Sequence, residues 1–264
     1  MEIKEMGTVM EVDAEGNLIN EAGQDKFQEN WREAINDFVE TVKEHLGDKV
    51  LSIYVRGSAA KGTAVDTISD LDTITILDVS KEELKDVDLS WIPLERKKLM
   101  EKHPFQEKVE FDFISKEGIG FSDRFVLKTQ STCVHGVDIA EDFEGMGLTK
   151  ENLMKLRGSI QAKIDATVDA INATEDPEAI KKHLKWVCKR FLRRGILMVA
   201  ERANVYSRDL YPSYKIFSQY YPEKEAEMRK VLEYALNPVG DKEEALKFIK
   251  EFGDWIVEED NRVF

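Results

Sequence analysis

Apolar positions recur every three or four residues over one long stretch near the start of the chain. Between residues 24 and 46 this spacing, which is that of one face of an α-helix, is kept by Phe27, Trp31, Ile35, Phe38, Val42 and Leu46. Gly47 follows at once, and a glycine at this position commonly ends a helix. We therefore predict an amphipathic helix over about residues 24–46.

Shorter apolar runs follow and are typical of strands. Residues 108–115, for example, alternate apolar and acidic side chains, which is the pattern of a half-buried strand. The predicted strands cover residues 50–56, 70–77, 108–115 and 134–139. The predicted shorter helices begin near residue 59 and cover 94–102 and 123–131. A Gly-Asn pair near residue 16 further predicts a small hairpin over residues 7–19.

The character of the pattern changes after Gly145-Met146-Gly147, because only helical spacing is found from there to the end of the chain. The predicted helices cover about residues 150–173, 177–203, 208–219, 222–236 and 241–259. The fold class is thus α+β, a mixed sheet with flanking helices followed by an all-α domain. We place the catalytic domain at residues 1–146 and the helical domain at 147–264.

Charge and composition narrow the classes of function. The chain has 264 residues and a net charge of −14, which argues against a general nucleic-acid binder and against attraction to anionic membranes. Cys133 and Cys188 lie far apart and suit a reducing compartment. The chain starts without an apolar leader pattern, and no run of eighteen apolar residues occurs. We expect a cytoplasmic protein; the oligomeric state is left open.

Gly57-Ser58, followed twelve residues later by Ser69-Asp70-Leu71-Asp72, is the motif that carries chemistry. Alternate residues of a strand point to the same face, so Asp70 and Asp72 are expected to project together. Two carboxylates side by side repel each other unless a cation lies between them, and Mg²⁺ prefers carboxylate and phosphate oxygens. A Gly-Ser turn lets the backbone approach a phosphate closely. Neither a P-loop nor a Gly-x-Gly-x-x-Gly dinucleotide loop is present.

This combination resembles the nucleotidyltransferase superfamily that includes DNA polymerase beta, and within it the small bacterial aminoglycoside adenylyltransferases. The resemblance implies Mg²⁺, as two ions, and a nucleoside triphosphate donor such as ATP. The residues that it implies for binding the donor are Gly57, Ser58, Lys61, Thr63 and Ser69. It also implies that Asp70 and Asp72 hold metal.

The superfamily uses a third acid on a neighbouring strand, and two residues here qualify. Glu110 and Asp112 share one face of the predicted strand 108–115, with Val109, Phe111 and Phe113 on the other. We assign Asp112 to the metal and Glu110 as the general base. The alternative is one functional acid with a solvated neighbour.

A basic segment lies in the predicted helical domain. Residues 185–215 contain eight Lys or Arg and only two acids. Arg190 and Arg194 fall at i and i+4 of one helix, and we predict that they contact the triphosphate. The alternative is a solvated helix face that balances the acidity elsewhere in the chain.

Together these features predict an enzyme that moves a nucleoside monophosphate, AMP by resemblance, onto a hydroxyl of a small molecule and releases pyrophosphate. Two alternatives stay open. One is the same chemistry on RNA or protein, which the basic segment would serve, and the other is a regulator that only binds nucleotide. The acceptor itself is not disclosed by the sequence.

Overall fold

The computed structural model describes residues 3–264. It divides into two compact units, one formed by Ile19–Met146 and the other by Gly147–Phe264 together with the N-terminal residues up to Leu18. The predicted division into a catalytic domain of residues 1–146 and a helical domain of residues 147–264 stays a prediction. The described N-terminal residues, however, group with the helical unit and not with the sheet.

A four-stranded mixed sheet forms the centre of the first unit. Its strands are β1 (Val50–Arg56), β2 (Asp72–Leu77), β3 (Phe113–Ser115) and β4 (Ser131–Gly136). They lie in the order β3-β2-β1-β4. β1 pairs antiparallel with both β2 and β4, while β2 pairs parallel with β3. The mixed sheet predicted from the sequence is therefore present.

Helices surround this sheet within the same unit. They are α1 (Glu29–Leu46), α2 (Gly57–Lys61), α3 (Lys81–Lys85), α4 (Ile92–Lys102) and α5 (Phe121–Gln130). The predicted apolar face of α1 is buried, with Trp31, Phe38 and Val42 fully inside the core. Burial of such side chains supplies most of the free energy that holds a helix on a sheet. A helical turn of three residues, Gln24–Lys26, precedes α1, so the helix itself begins later than predicted.

The predicted strand 108–115 is regular only at its end. Before β3, residues 108–112 run beside β2 and exchange backbone hydrogen bonds with it, although only Leu71 and Val109 form an isolated bridge there. The predicted alternation of faces holds, since Val109 is buried and Phe111 and Phe113 pack against the same core. The acidic residues between them therefore point away from that core.

The second unit is helical, as predicted. Its helices are α6 (Lys150–Arg157), α7 (Ile160–Asn172), α8 (Pro177–Ala203), α9 (Leu210–Tyr220), α10 (Glu225–Leu236) and α11 (Lys242–Val263). α8 is the central helix and packs against α7, α9, α10 and α11. The single helix predicted over 150–173 is wrong, because Gly158 takes a positive φ of 52° and the Ser159 side chain caps α7.

The predicted N-terminal hairpin is reduced to isolated bridges. Val12 pairs with Leu18, and Met10 pairs antiparallel with Tyr206, between α8 and α9. Thr8 donates its backbone N–H to the Asp209 carboxylate at 2.8 Å. These contacts explain why the start of the chain groups with the helices.

A buried ion pair links three elements of the helical unit. Asp260 on α11 accepts from Arg194 on α8 at 2.8 Å and from Arg157 on α6 at 2.7 Å. Arg194 is 4% exposed and also donates to the carbonyl oxygens of Arg157 and Gly158. Because both sides are desolvated, the pair is costly to break from one side only.

No helix in the described part of the chain is both long enough and apolar enough to span a bilayer.

We predict that Asp260→Ala lowers the free energy of unfolding of the helical unit by about 3–5 kcal/mol, because it leaves Arg194 buried without its carboxylate. The matched control is Asp254→Ala on the same helix, whose exposed pair with Lys250 should contribute about 0–1 kcal/mol. Urea unfolding followed by circular dichroism measures both. Equal losses in the two variants would contradict the structural role of the buried pair.

Candidate active site

The candidate site lies where β1 ends and β2 begins. Arg56, the last residue of β1, is paired in register with Asp72, the first residue of β2. Paired residues of an antiparallel ladder lie on the same face, so their side chains meet. The Nη2 atom of Arg56 lies 3.4 Å from Oδ1 of Asp72.

Gly57 brings the backbone next to the same carboxylate. Its φ is +72°, a conformation that L side chains rarely adopt. A Cβ atom placed on Gly57 would lie 2.5 Å from Oδ2 of Asp72. The glycine of the predicted motif is thus favoured by its backbone conformation, and any side chain at this position would displace the Asp72 carboxylate.

Glu110 is held beside Asp72 by hydrogen bonds to β2. Its N–H donates to the carbonyl of Leu71 at 2.9 Å, and its carbonyl accepts from the Thr73 hydroxyl at 2.6 Å. Its carboxylate accepts from Lys108 at 2.8 Å and from Arg56 at 3.3 Å. Two of the predicted catalytic acids, Asp72 and Glu110, therefore share one cation.

The surroundings of Asp72 and Glu110 shift the pKa values of these two acids in opposite directions. Burial raises the pKa of Asp72 above its usual range, and the charges of Glu110 and Asp70 and a hydrogen bond with Glu110 add to this effect, while Arg56 opposes it. Burial works in the same direction on Glu110, but Lys108, the hydrogen bond with Asp72, and Arg56 outweigh it, so the pKa of Glu110 is lowered. Glu110 is the carboxylate of the pair that stays ionised more readily.

Asp70 and Asp112 flank this pair. Asp70 precedes β2 and acts on Asp72 through its charge. Asp112 is exposed, its carbonyl accepts from the Thr75 N–H at 2.8 Å, and its carboxylate interacts electrostatically with Arg56 and with other acids. Among residues 3–264 no three His, Cys, Asp or Glu side chains are already grouped as a metal site.

The remaining predicted donor-binding residues of this unit lie in and after α2. Ser58 is in α2, its carbonyl accepting from the N–H of the exposed Thr63 at 2.9 Å. Lys61 forms an ion pair with Glu21 at 3.3 Å. The hydroxyl of Ser69 accepts from the Val65 N–H at 2.9 Å and so shapes the loop before Asp70. Contact of these residues with a nucleotide stays a prediction.

The two predicted arginines of the helical unit differ in their surroundings. The guanidinium of Arg194 is engaged in the buried network with Asp260, so we reassign this residue to stability. The guanidinium of Arg190 lies over the ring of Trp186 at 4.7 Å. Burial, together with the charge of Arg208, lowers the pKa of Arg190. Its contact with the triphosphate stays a prediction.

Arg56 is the site residue that the sequence analysis missed. It stands directly before Gly57, and only the antiparallel register of β1 and β2 places it opposite Asp72. The signal in the sequence was the pair of predicted strands 50–56 and 70–77. Aligning them antiparallel, with the end of the first beside the start of the second, would have placed Arg56 near Asp72.

Comparison with known families and structures gives two findings. Residues 35–133 match the family model of a nucleotidyltransferase domain. This range contains α2, β1, β2 and the acidic cluster, by which we mean Asp70, Asp72, Glu110 and Asp112. The fold resembles the crystal structure of spectinomycin adenyltransferase AAD(9) from Enterococcus faecalis, solved with ATP and spectinomycin. The TM-score is 0.52 at 13% identity, and the alignment covers 88% of this chain and 98% of that chain. A comparison with curated protein sequences finds no significant match.

At 13% identity the structural likeness shows a shared fold, and the family model covers less than half of the chain. The predicted fold class, with its mixed sheet and helical second part, is confirmed by this likeness. The match of residues 35–133 to a nucleotidyltransferase domain confirms, for this part of the chain, the superfamily and the enzyme class predicted from the Gly-Ser and double-acid motif.

We predict that Gly57→Ala reduces nucleotidyl transfer at least a hundred-fold, since the added Cβ pushes the Asp72 carboxylate out of place and misplaced catalytic groups cost about this factor. Gly47→Ala is the matched control, because Gly47 also has a positive φ, +51°, but a Cβ there meets nothing within 4 Å. Initial rates on both purified variants measure the effect. A Gly57→Ala protein as active as Gly47→Ala would show that the close approach has no catalytic role.

Proposed function

We propose that this chain, which carries a nucleotidyltransferase domain, moves a nucleoside monophosphate from ATP to a hydroxyl group of a small molecule and releases pyrophosphate. The observation that carries this proposal is the placement of Asp72 and Glu110 around one guanidinium, directly beside the backbone of Gly57. Two carboxylates thus lie at the end of β1, next to the Gly57-Ser58 turn that we propose binds phosphate.

Mg²⁺ is the ion that suits these donors. They are carboxylate oxygens, which a small hard cation prefers. Burial, with the charges of Glu110 and Asp70 added, raises the pKa of Asp72 in the absence of such an ion. We assign Asp70 and Asp72 as the residues that would hold metal, with Asp112 as the predicted third ligand. When bound, two such ions neutralise the triphosphate and favour displacement of pyrophosphate.

Glu110 and the Gly57-Ser58 turn have separate roles in the proposed transfer step. In the proposed step the acceptor oxygen forms a bond to the α-phosphorus, the bond from that phosphorus to the bridging oxygen breaks, and pyrophosphate leaves. We assign Glu110 to accept the hydroxyl proton, because its lowered pKa keeps its carboxylate ionised and so able to accept a proton. The turn at Gly57-Ser58 receives the phosphates, because no side chain blocks the backbone at Gly57.

A small hydroxylated acceptor with positive charge is the class we favour. The net charge of −14 suits attraction of a cationic molecule more than of a nucleic acid. Spectinomycin adenyltransferase AAD(9), whose fold this chain shares, was crystallised with ATP and spectinomycin. We therefore place aminoglycosides and aminocyclitols first among the compounds to test.

The direct test is transfer of label from α-³²P-labelled nucleoside triphosphates to such a panel and to a fractionated cell extract. We predict label in a small-molecule fraction with ATP and Mg²⁺. Asp72→Asn should lower the rate about a thousand-fold or more, because a charge that stabilises the transition state is lost. EDTA should abolish transfer, and added Mg²⁺ should restore it.

Asp66→Asn is the matched control, since Asp66 is an exposed acid of the same loop region and pairs with Asn30. This variant should keep the wild-type rate. Transfer that survives Asp72→Asn would contradict the assigned site. Label found in RNA or protein instead of a small molecule would contradict the assigned acceptor and support the polymer alternative.

A further inference from the structure

Arg56 stands out as the positive charge at the centre of the acidic cluster. One atom, Nη2, lies 3.4 Å from Asp72 and 3.3 Å from Glu110, so a single nitrogen serves two carboxylates. Both contacts are longer than the usual 2.7–2.9 Å of a charge-assisted hydrogen bond. The guanidinium is therefore shared loosely between two acids instead of being locked on one.

The Nε atom of the guanidinium does not help to hold it there. The Nε atom of Arg56 is buried and makes no hydrogen bond within residues 3–264. The side chain is 21% exposed, against 26% for Asp72 and 31% for Glu110, so all three are partly shielded from water. A cation in such surroundings interacts strongly with its acids, and its Nε atom has no hydrogen bond to lose when the guanidinium moves.

Arg56 also neutralises a carboxylate that the proposed metal ion would neutralise. Asp72 is a metal ligand in the proposed function, and it is one of the two acids that Arg56 contacts. A divalent cation and a guanidinium on the same carboxylate repel each other. Glu110, in contrast, has a second cationic partner in Lys108. Its backbone is also held in place by the hydrogen bond from its N–H to the Leu71 carbonyl.

We propose that Arg56 is the counter-cation of the acidic cluster before metal binds, that it gives up Asp72 to the divalent ion, and that it then remains on Glu110. This inference rests on the proposed function, because it takes Asp72 as a metal ligand. Arg56 is a positioning residue: it keeps the repelling carboxylates together in the metal-free protein and afterwards holds the general base in its place.

The consequence is a competition that can be measured without turnover. Binding of Mn²⁺, followed by the loss of its free electron paramagnetic resonance signal, is compared for the wild type, Arg56→Gln and Arg56→Lys. We expect Arg56→Gln to bind Mn²⁺ roughly ten-fold more tightly, because the ion no longer displaces a cation from Asp72. Arg56→Lys keeps the charge and should return toward the wild-type affinity.

The rise in melting temperature on adding metal gives a second readout that a purely structural role would not change. Without metal, Arg56→Gln should melt at a lower temperature than the wild type, because the acids repel. Saturating Mn²⁺ should then raise its melting temperature by more than it raises that of the wild type. Arg124→Gln is the matched control, since Arg124 is exposed and lies over Phe143 at 5.8 Å.

Asp72→Asn separates the inference from the proposed function. If it weakens Mn²⁺ binding while Arg56→Gln and the wild type show equal affinity and equal metal-induced stabilisation, the inference is overturned and the metal site stands. If Asp72→Asn leaves Mn²⁺ binding unchanged, the metal assignment fails and the inference fails with it. Tighter binding in Arg56→Gln, absent in Arg124→Gln, supports the inference.

Discussion

Repulsion between carboxylates at one corner of the sheet is the constraint on which the site depends. Asp72 and Glu110 are close enough to share a hydrogen bond, and the charge of Asp70 adds to the same field. A fold gains nothing in stability from such crowding, and partly buried like charges are costly unless cations compensate them. The function proposed above accounts for this crowding, because the proposed site also contains a divalent cation and the phosphates of the donor.

Backbone geometry, more than side-chain packing, enforces this arrangement. The register of β1 and β2 places Arg56 opposite Asp72. The Glu110 N–H donates to the Leu71 carbonyl, and the Glu110 carbonyl accepts from the Thr73 hydroxyl, so that Glu110 is held alongside. Gly57 leaves the space into which the Asp72 carboxylate projects. Because each acid is tied to a paired or bonded backbone segment, the acids cannot relieve their repulsion by moving apart freely.

The sequence predicted the features that depend on local pattern. The apolar spacing of α1, the order of the strands along the chain and the helical second part follow from periodicity, and the Gly-Ser and double-acid motif indicated the superfamily. The break at Gly158 was missed because the helical spacing continues across it. The place of Arg56 and the buried ion pair of Arg194 were missed for another reason. Each depends on a partner distant along the chain, Asp72 or Asp260, which tertiary structure alone brings near.

The most direct test of the account is anomalous diffraction from crystals grown with Mn²⁺ and a non-hydrolysable ATP analogue. The account predicts an anomalous peak coordinated by the carboxylates of Asp70 and Asp72, with the triphosphate against the turn at Gly57. It also predicts that the Arg56 guanidinium has left Asp72 and remains near Glu110. A bound nucleotide whose metal lies away from both aspartates would contradict the central claim.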